Sequence, residues 1–208
     1  MSVLNRIAYL QNRRDEVPNQ ELARELAEQK DRAGIREIAE NLWNRDKNIQ
    51  ADCVKVLYEI GYLDPSLIAD YAEDYLKLLR SRNNRLVWGG MIALSTVAEL
   101  KADVIHAHLD EILKAMHAGS VITVDNAVKT LALAASNKAY RPAIFPHLLE
   151  HLRACRPKDV PQHSEKSLPA VDASNKAVFI AVLEKRVEDL SAAQITRVRK
   201  VIKAAEKR

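Results

Sequence analysis

Apolar residues recur along this chain three and four positions apart, in stretches separated by short polar clusters, which is the period of one helix face rather than of a strand. The stretches themselves repeat. "IAENLWN" from Ile38, "YLKLLRS" from Tyr75 and "ILKAMHA" from Ile112 lie 37 residues apart and are apolar at their first and fifth positions, and a further step of 36 reaches "LLEHLRA" from Leu148. Each predicts the end of an amphipathic first helix. A second helix follows in register: Cys53, Val54, Leu57, Ile60 and Gly61 return 37 residues on as Gly90, Met91, Leu94, Val97 and Ala98, and 74 residues on as Ala127, Val128, Leu131, Ala134 and Ala135. Those positions share one helix face, so each unit predicts a packing stripe that is small and aliphatic.

Polar turns punctuate the units: "NRDKN" after Leu42-Trp43, "SRNNR" after Arg80 and "AGSVI" after His117 join first helix to second. Asp64-Pro65 and Asp103-Val104 supply a cap and a first helical residue between units. At the N-terminus, Leu4, Ile7, Ala8 and Gln11 predict one amphipathic helix and "NQELARELAEQK" from Asn19 a second. At the C-terminus Ser191 and Gln194 have the spacing of a capping box, ahead of an Ile195, Val198 and Ile202 stripe. "RPKDVPQHSEKSLPAVD" carries three prolines and no helical period, so it is expected to be an insertion inside the fourth unit, with "ASNKAVFIAVLEKRVEDL" resuming as that unit's second helix. The expected organisation is one domain over 1–208: capping helices over 1–32, core repeats over 33–155, the insertion over 156–172, and a C-terminal helix with a basic capping helix over 173–208.

A helix, a tight turn and a second helix repeated at this length resembles the HEAT repeat family, over roughly Ile35 to Cys155. The resemblance implies an all-α, right-handed solenoid of about four to five antiparallel helix pairs, whose second helices line a shallow inner face. It carries no catalytic residue with it.

Composition narrows the picture. With 48% hydrophobic and 29% charged residues and only five glycines, the chain has the make-up of a folded helical protein. No apolar run reaches the length of a membrane span and the first residues lack a signal-peptide core, which leads to the expectation of a cytoplasmic protein with no membrane role. Cys53 and Cys155 lie far apart and suit a reducing compartment. The net charge of +4 is not spread evenly: residues 191–208 carry a net +5, so the remaining 190 residues sum to −1 and the basicity belongs to the last helix.

Little else has the pattern of chemistry. "HLLEH", His147 to His151, matches an inverted zinc-protease motif, yet Leu148, Leu149 and Leu152 claim the core stripe and leave a solvated helix face as the expected role. His106 and His108 point to different helix faces, His117 suits a helix C-terminus, and Cys53 falls on a small packing position. The expectation is therefore a non-catalytic scaffold, without cofactor or metal, that binds a protein or peptide through Asp52, Lys55, Trp88, Gly89, Ile92, Asp125, Asn126 and Lys129. Trp88 and Ile92 would form its apolar spot, Gly89 leaving them uncovered while Gly90 lets adjacent second helices approach. The alternative is nucleic-acid binding through Arg45, Lys47, Arg82 and Arg85. A further one is a resemblance to the HEAT-like alkylpurine DNA glycosylases, which would recruit Trp88, Asp52 and Asp125 but lacks a second tryptophan on a second helix and a Trp-x-x-x-Asp turn.

Overall fold

A computed structural model describes residues 2–208 and shows twelve α-helices, with no strand among the described residues. In order they are α1 (Val17–Gln29), α2 (Arg32–Glu40), α3 (Lys47–Leu63), α4 (Ala72–Leu78), α5 (Asn84–Val97), α6 (Ala102–Ala107), α7 (Leu109–Ala118), α8 (Val121–Ala134), α9 (Arg141–Ala154), α10 (Val160–Ser167), α11 (Lys176–Arg186) and α12 (Ala192–Glu206). Helices α1, α3, α5, α8, α10 and α12 form one row, each packed closely on the next, and α2, α4, α6 with α7, α9 and α11 cover its back. Most outer helices meet their row neighbours far less than the inner ones do, so the stack opens on its outer side and the inner row lines the concave face. The architecture is an all-α solenoid.

The repeated stripe forms the core. Every predicted packing position on α3, α5 and α8, with the Ala98 and Ala135 that follow α5 and α8, is buried. Side-chain caps start the inner helices: Asp46 accepts from the Asn48 N–H, Asn83 from the Arg85 N–H and Ser120 from the Thr123 N–H. The capping box of Ser191 and Gln194 starts α12.

The N-terminal segment forms only a short 3-10 turn over Leu4–Arg6 before it bends through Asn12, whose φ of 56° lies in the left-handed region; α1 is the first full helix. The segment 156–172 is no insertion. It contains α10, the inner helix of the fourth unit, packed between α8 and α12, and α11 is then the outer helix of a fifth unit. The repeat stripe continues through it at a step of 36 as His163, Ser164, Ser167, Ala170 and Val171, all buried. Polar residues stand where aliphatic ones stood, and the hydroxyls bond back into their own segment, Ser164 to the Pro161 carbonyl at 2.9 Å and Ser167 to the His163 carbonyl at 2.8 Å.

The two adjacent glycines of α5 exchange their expected roles. A Cβ on Gly89 would lie 2.7 Å from Cγ1 of Val54 on the neighbouring inner helix, so Gly89 is what lets α3 and α5 approach. A Cβ on Gly90 would lie 2.9 Å from the Tyr75 carbonyl oxygen and 3.0 Å from Leu78 Cβ, so Gly90 seats α5 on its own outer helix α4. Gly89 is buried rather than presented on the inner face.

Candidate functional site

At its N-terminal end the inner row borders a cavity of about 360 Å³ lined by Tyr9, Arg14, Asp52, Lys55, Arg85 and Trp88 among others. The chain before α1 builds one wall. Its backbone is tied to the inner row because the Tyr9 N–H donates to Asp52 Oδ2 at 2.7 Å and the Ala8 N–H to the buried Asn19 Oδ1 at 2.9 Å. Lys55 is almost fully enclosed, with its ammonium 2.7 Å from both Glu16 and Glu59 and over the Tyr58 ring. Burial opposes its charge, but hydrogen bonds to Glu16, Glu59 and Tyr58 outweigh that and hold its pKa above the usual lysine value. Arg13 is paired with Asp15 at 2.8 Å, whereas Arg14 and Arg85 have no ion pair among the described residues.

Further along the inner face Glu59 is engaged by Lys55 and Asp125 by His163, whereas Lys129 has no carboxylate against it. Lys129 of α8 lies 5.5 Å from the ring centre of Tyr62 on α3, a reach that takes it across the intervening α5. Burial, and then the like charge of Lys166, hold its pKa below the usual lysine value, and no carboxylate offsets them. Lys166 is lowered by burial too, with Asp125 opposing. Tyr62 is exposed beside this cation and packs edge-on against Tyr58.

No protein-family model matches the chain, and no curated protein matches it. A designed armadillo repeat protein solved in complex with the peptide (KR)4 superposes with a TM-score of 0.69 at 15% identity, over 90% of this chain and 85% of that one. Crystal structures of two engineered proteins superpose with TM-scores of 0.65 and 0.66 at 19% and 17% identity, over 100% of this chain and 98% and 100% of theirs. The fold is that of the helical-repeat proteins. At these identities the likeness concerns the path of the backbone alone.

Of the residues expected to bind, the solenoid gathers Asp52, Lys55 and Trp88 on this cavity and reaches Lys129 of α8 across to Tyr62, whereas the Asn126 amide donates to the Ile122 carbonyl at 2.9 Å and accepts from Ser95 of α5 at 3.4 Å. Ile92 does not form an apolar spot with Trp88, because it is only 7% exposed. Asp125 is not free: Oδ1 accepts from His163 at 2.7 Å and Oδ2 from the Gln162 amide at 3.0 Å. Among the basic residues of the nucleic-acid alternative, all four are exposed but only Arg85 lines the cavity.

The repeat also assembles a polar cluster in the fourth unit that the sequence reading missed. His163 stands where Gly90 and Ala127 stand and His151 where Leu78 and Ala115 stand, so the outer-to-inner contact of Leu78 with Gly90 returns as a histidine pair, Nε2 of His151 to Nδ1 of His163 at 2.8 Å. Cys155, one turn after His151, sits beside them at the end of α9, where Arg186 reaches its sulfur at 3.9 Å and its carbonyl oxygen at 2.8 Å. Burial, with His163 alongside, pulls the His151 pKa down to about 4, and burial pushes the Cys155 thiol up against the opposing Arg186. His147, the other histidine of "HLLEH", is not part of the cluster. The available signal was the spacing His151-x3-Cys155-x7-His163, hidden because its last member fell in a segment with no apolar period.

Proposed function

We propose that this protein is a non-catalytic, HEAT-like scaffold that binds an extended peptide segment of a partner protein on its concave face, and that the segment carries carboxylates. The observation that supports this reading is the charge left over on that face. Asp52, Glu59 and Asp125 are each bonded within the chain, while Lys129 is half-buried without a counter-charge and Arg14 and Arg85 line the same cavity as the half-buried Trp88 without an ion pair. A half-buried cation is less well hydrated than an exposed one, so a charge-assisted contact with a carboxylate is worth more to it, net of the carboxylate's own desolvation. Tyr9, Tyr62 and Trp88 add ring surface of the kind that anchors peptide side chains. The designed armadillo neighbour holds a basic peptide; this chain's free groups favour the opposite sign.

The test is a fluorescence titration in a Trp43→Phe background, which leaves Trp88 as the reporter. An alternating Glu-Tyr octapeptide is expected to perturb Trp88, and Lys129→Glu to weaken that binding at least ~10-fold, about the 1.4 kcal/mol a single charge-assisted contact supplies. Preference for (KR)4, or equal binding by Lys129→Glu, would overturn the reading. Salt-sensitive binding of random single-stranded DNA that outcompetes the peptide and is lost in Arg82→Glu/Arg85→Glu would replace it with the nucleic-acid alternative.

A further inference from the structure

The cluster of the fourth unit unites three different donor atoms from the end of α9, its C-terminal cap and α10. His151, Cys155 and His163 each offer one ligand atom, and these atoms all lie within 4.8 Å of one another. We propose that Nε2 of His151, Sγ of Cys155 and Nδ1 of His163 bind one zinc-class divalent transition-metal ion, with its fourth position open to the adjoining cavity.

The donor set fits that ion. Imidazole nitrogen and thiolate sulfur are the ligands a borderline-soft cation selects, whereas magnesium or calcium would need oxygen. A tetrahedral centre with zinc–nitrogen bonds of about 2.0 Å and a zinc–sulfur bond of about 2.3 Å sets donor atoms roughly 3.3 to 3.6 Å apart. Here the two nitrogens are 2.8 Å apart and no donor pair exceeds 4.8 Å, so small rotamer shifts close the geometry without moving a helix. His151 and Cys155 are four residues apart, a spacing that brings both over one turn.

The surroundings are those of a ligand set rather than of an ordinary polar core. Asp125 Oδ1 holds the Nε2 side of the His163 ring at 2.7 Å, which keeps the proton there and turns the Nδ1 lone pair inward. The Gln162 amide, bonded to Asp125 Oδ2 at 3.0 Å, fixes the carboxylate in turn. Arg186, 3.9 Å from Sγ, supplies a positive charge beside a thiolate. A cavity of about 280 Å³, lined by all three ligands together with Val121, Val124 and Asp159, gives the ion a path and a place for solvent.

The single ring proton of neutral His151 moves from Nε2 to Nδ1, the Cys155 thiol releases one proton to solvent, and the hydrated ion exchanges all but one of its waters for the three ligands. One proton is released for each ion bound.

Chelator-treated protein titrated with Co²⁺ is expected to bind one equivalent, with the visible bands of a tetrahedral centre and a near-ultraviolet thiolate charge-transfer band, and to lose both when Zn²⁺ displaces it. Cys155→Ser is expected to abolish the charge-transfer band, and Cys155→Ser and His151→Gln each to weaken Zn²⁺ binding at least ~10-fold. Asp125→Asn, which touches no metal, is expected to weaken it ~10- to 100-fold while the thiolate band persists at saturation. Circular dichroism identifies variants that remain folded, and Cys155→Ser, at a helix end, carries the test if Asp125→Asn does not. No stoichiometric binding by the wild type, or binding of equal strength by folded Cys155→Ser, would overturn the proposal and leave the histidine pair as a satisfied element of the core.

Discussion

Substituting Gly89 by alanine tests the repeat register where two inner helices touch. On propensity alone the change stabilises a mid-helix position by about 1 kcal/mol. The new Cβ, however, would lie 2.7 and 3.1 Å from the two methyl carbons of Val54, a stiff branched side chain that is 1% exposed and has no room to turn away. Overpacking of that kind costs about 2 to 3 kcal/mol, so Gly89→Ala is expected to lower stability by a net ~1 to 2 kcal/mol. Val54→Ala alone removes two buried methyls and costs about 2 to 3 kcal/mol. In that background the obstacle is gone, and adding Gly89→Ala should raise stability by about 1 kcal/mol. The sign of the glycine substitution therefore reverses, with a coupling of roughly 2 to 3 kcal/mol across the cycle. Urea unfolding followed by far-ultraviolet circular dichroism, with matched slopes across the four proteins, measures it. A stabilising Gly89→Ala in the wild-type background, or additive effects, would refute the close approach of α3 and α5 at this point.

Three further outcomes follow from the packing. Ser164→Ala and Ser167→Ala, at buried stripe positions whose hydroxyls only bond back to nearby carbonyls, are each expected to raise the urea midpoint, by about 0.5 kcal/mol in stability. Arg186→Met leaves the Leu152 and Cys155 carbonyls at the end of α9 without their donor and should cost about 2 to 3 kcal/mol in the same assay, with Arg186→Lys recovering only part because it lacks the fork. Burial holds the Cys53 thiol up at about 12, so a disulfide reagent at pH 8 should leave Cys53 unmodified in the native protein and modify it in urea, as peptide mapping by mass spectrometry would show.

The helical-repeat fold was legible because aliphatic stripes announce themselves. Cys53, Gly90 and Ala127 share a register that composition alone would not reveal, and the structure buries all three. The fourth unit was lost for the same reason: His163, Ser164 and Ser167 satisfy the stripe through volume and hydrogen bonding rather than hydropathy, so a pattern of apolar residues passes over them. Three prolines strengthened the impression of a loop, although Pro157 and Pro161 stand at starts of helical turns, where a missing N–H costs nothing. The inner face was legible in position but not in occupancy. Register places Asp52 and Asp125 on it, yet cannot tell that the Tyr9 N–H and the His163 ring engage their carboxylates, because those partners lie 43 and 38 residues away. Gly89 and Gly90 show the limit most directly, since adjacent glycines on one helix seat it against two different neighbours.

We propose that the concave face selects a peptide by carboxylates that meet Lys129 and the cations lining the cavity with Trp88. An unbiased random-peptide display selection on the purified protein, run in parallel on Lys129→Glu, tests it most directly. Wild type is expected to enrich sequences with Asp or Glu near an aromatic residue, and Lys129→Glu to lose that enrichment. Enrichment of Lys- and Arg-rich peptides by the wild type, or the same acidic consensus from both proteins, would contradict it.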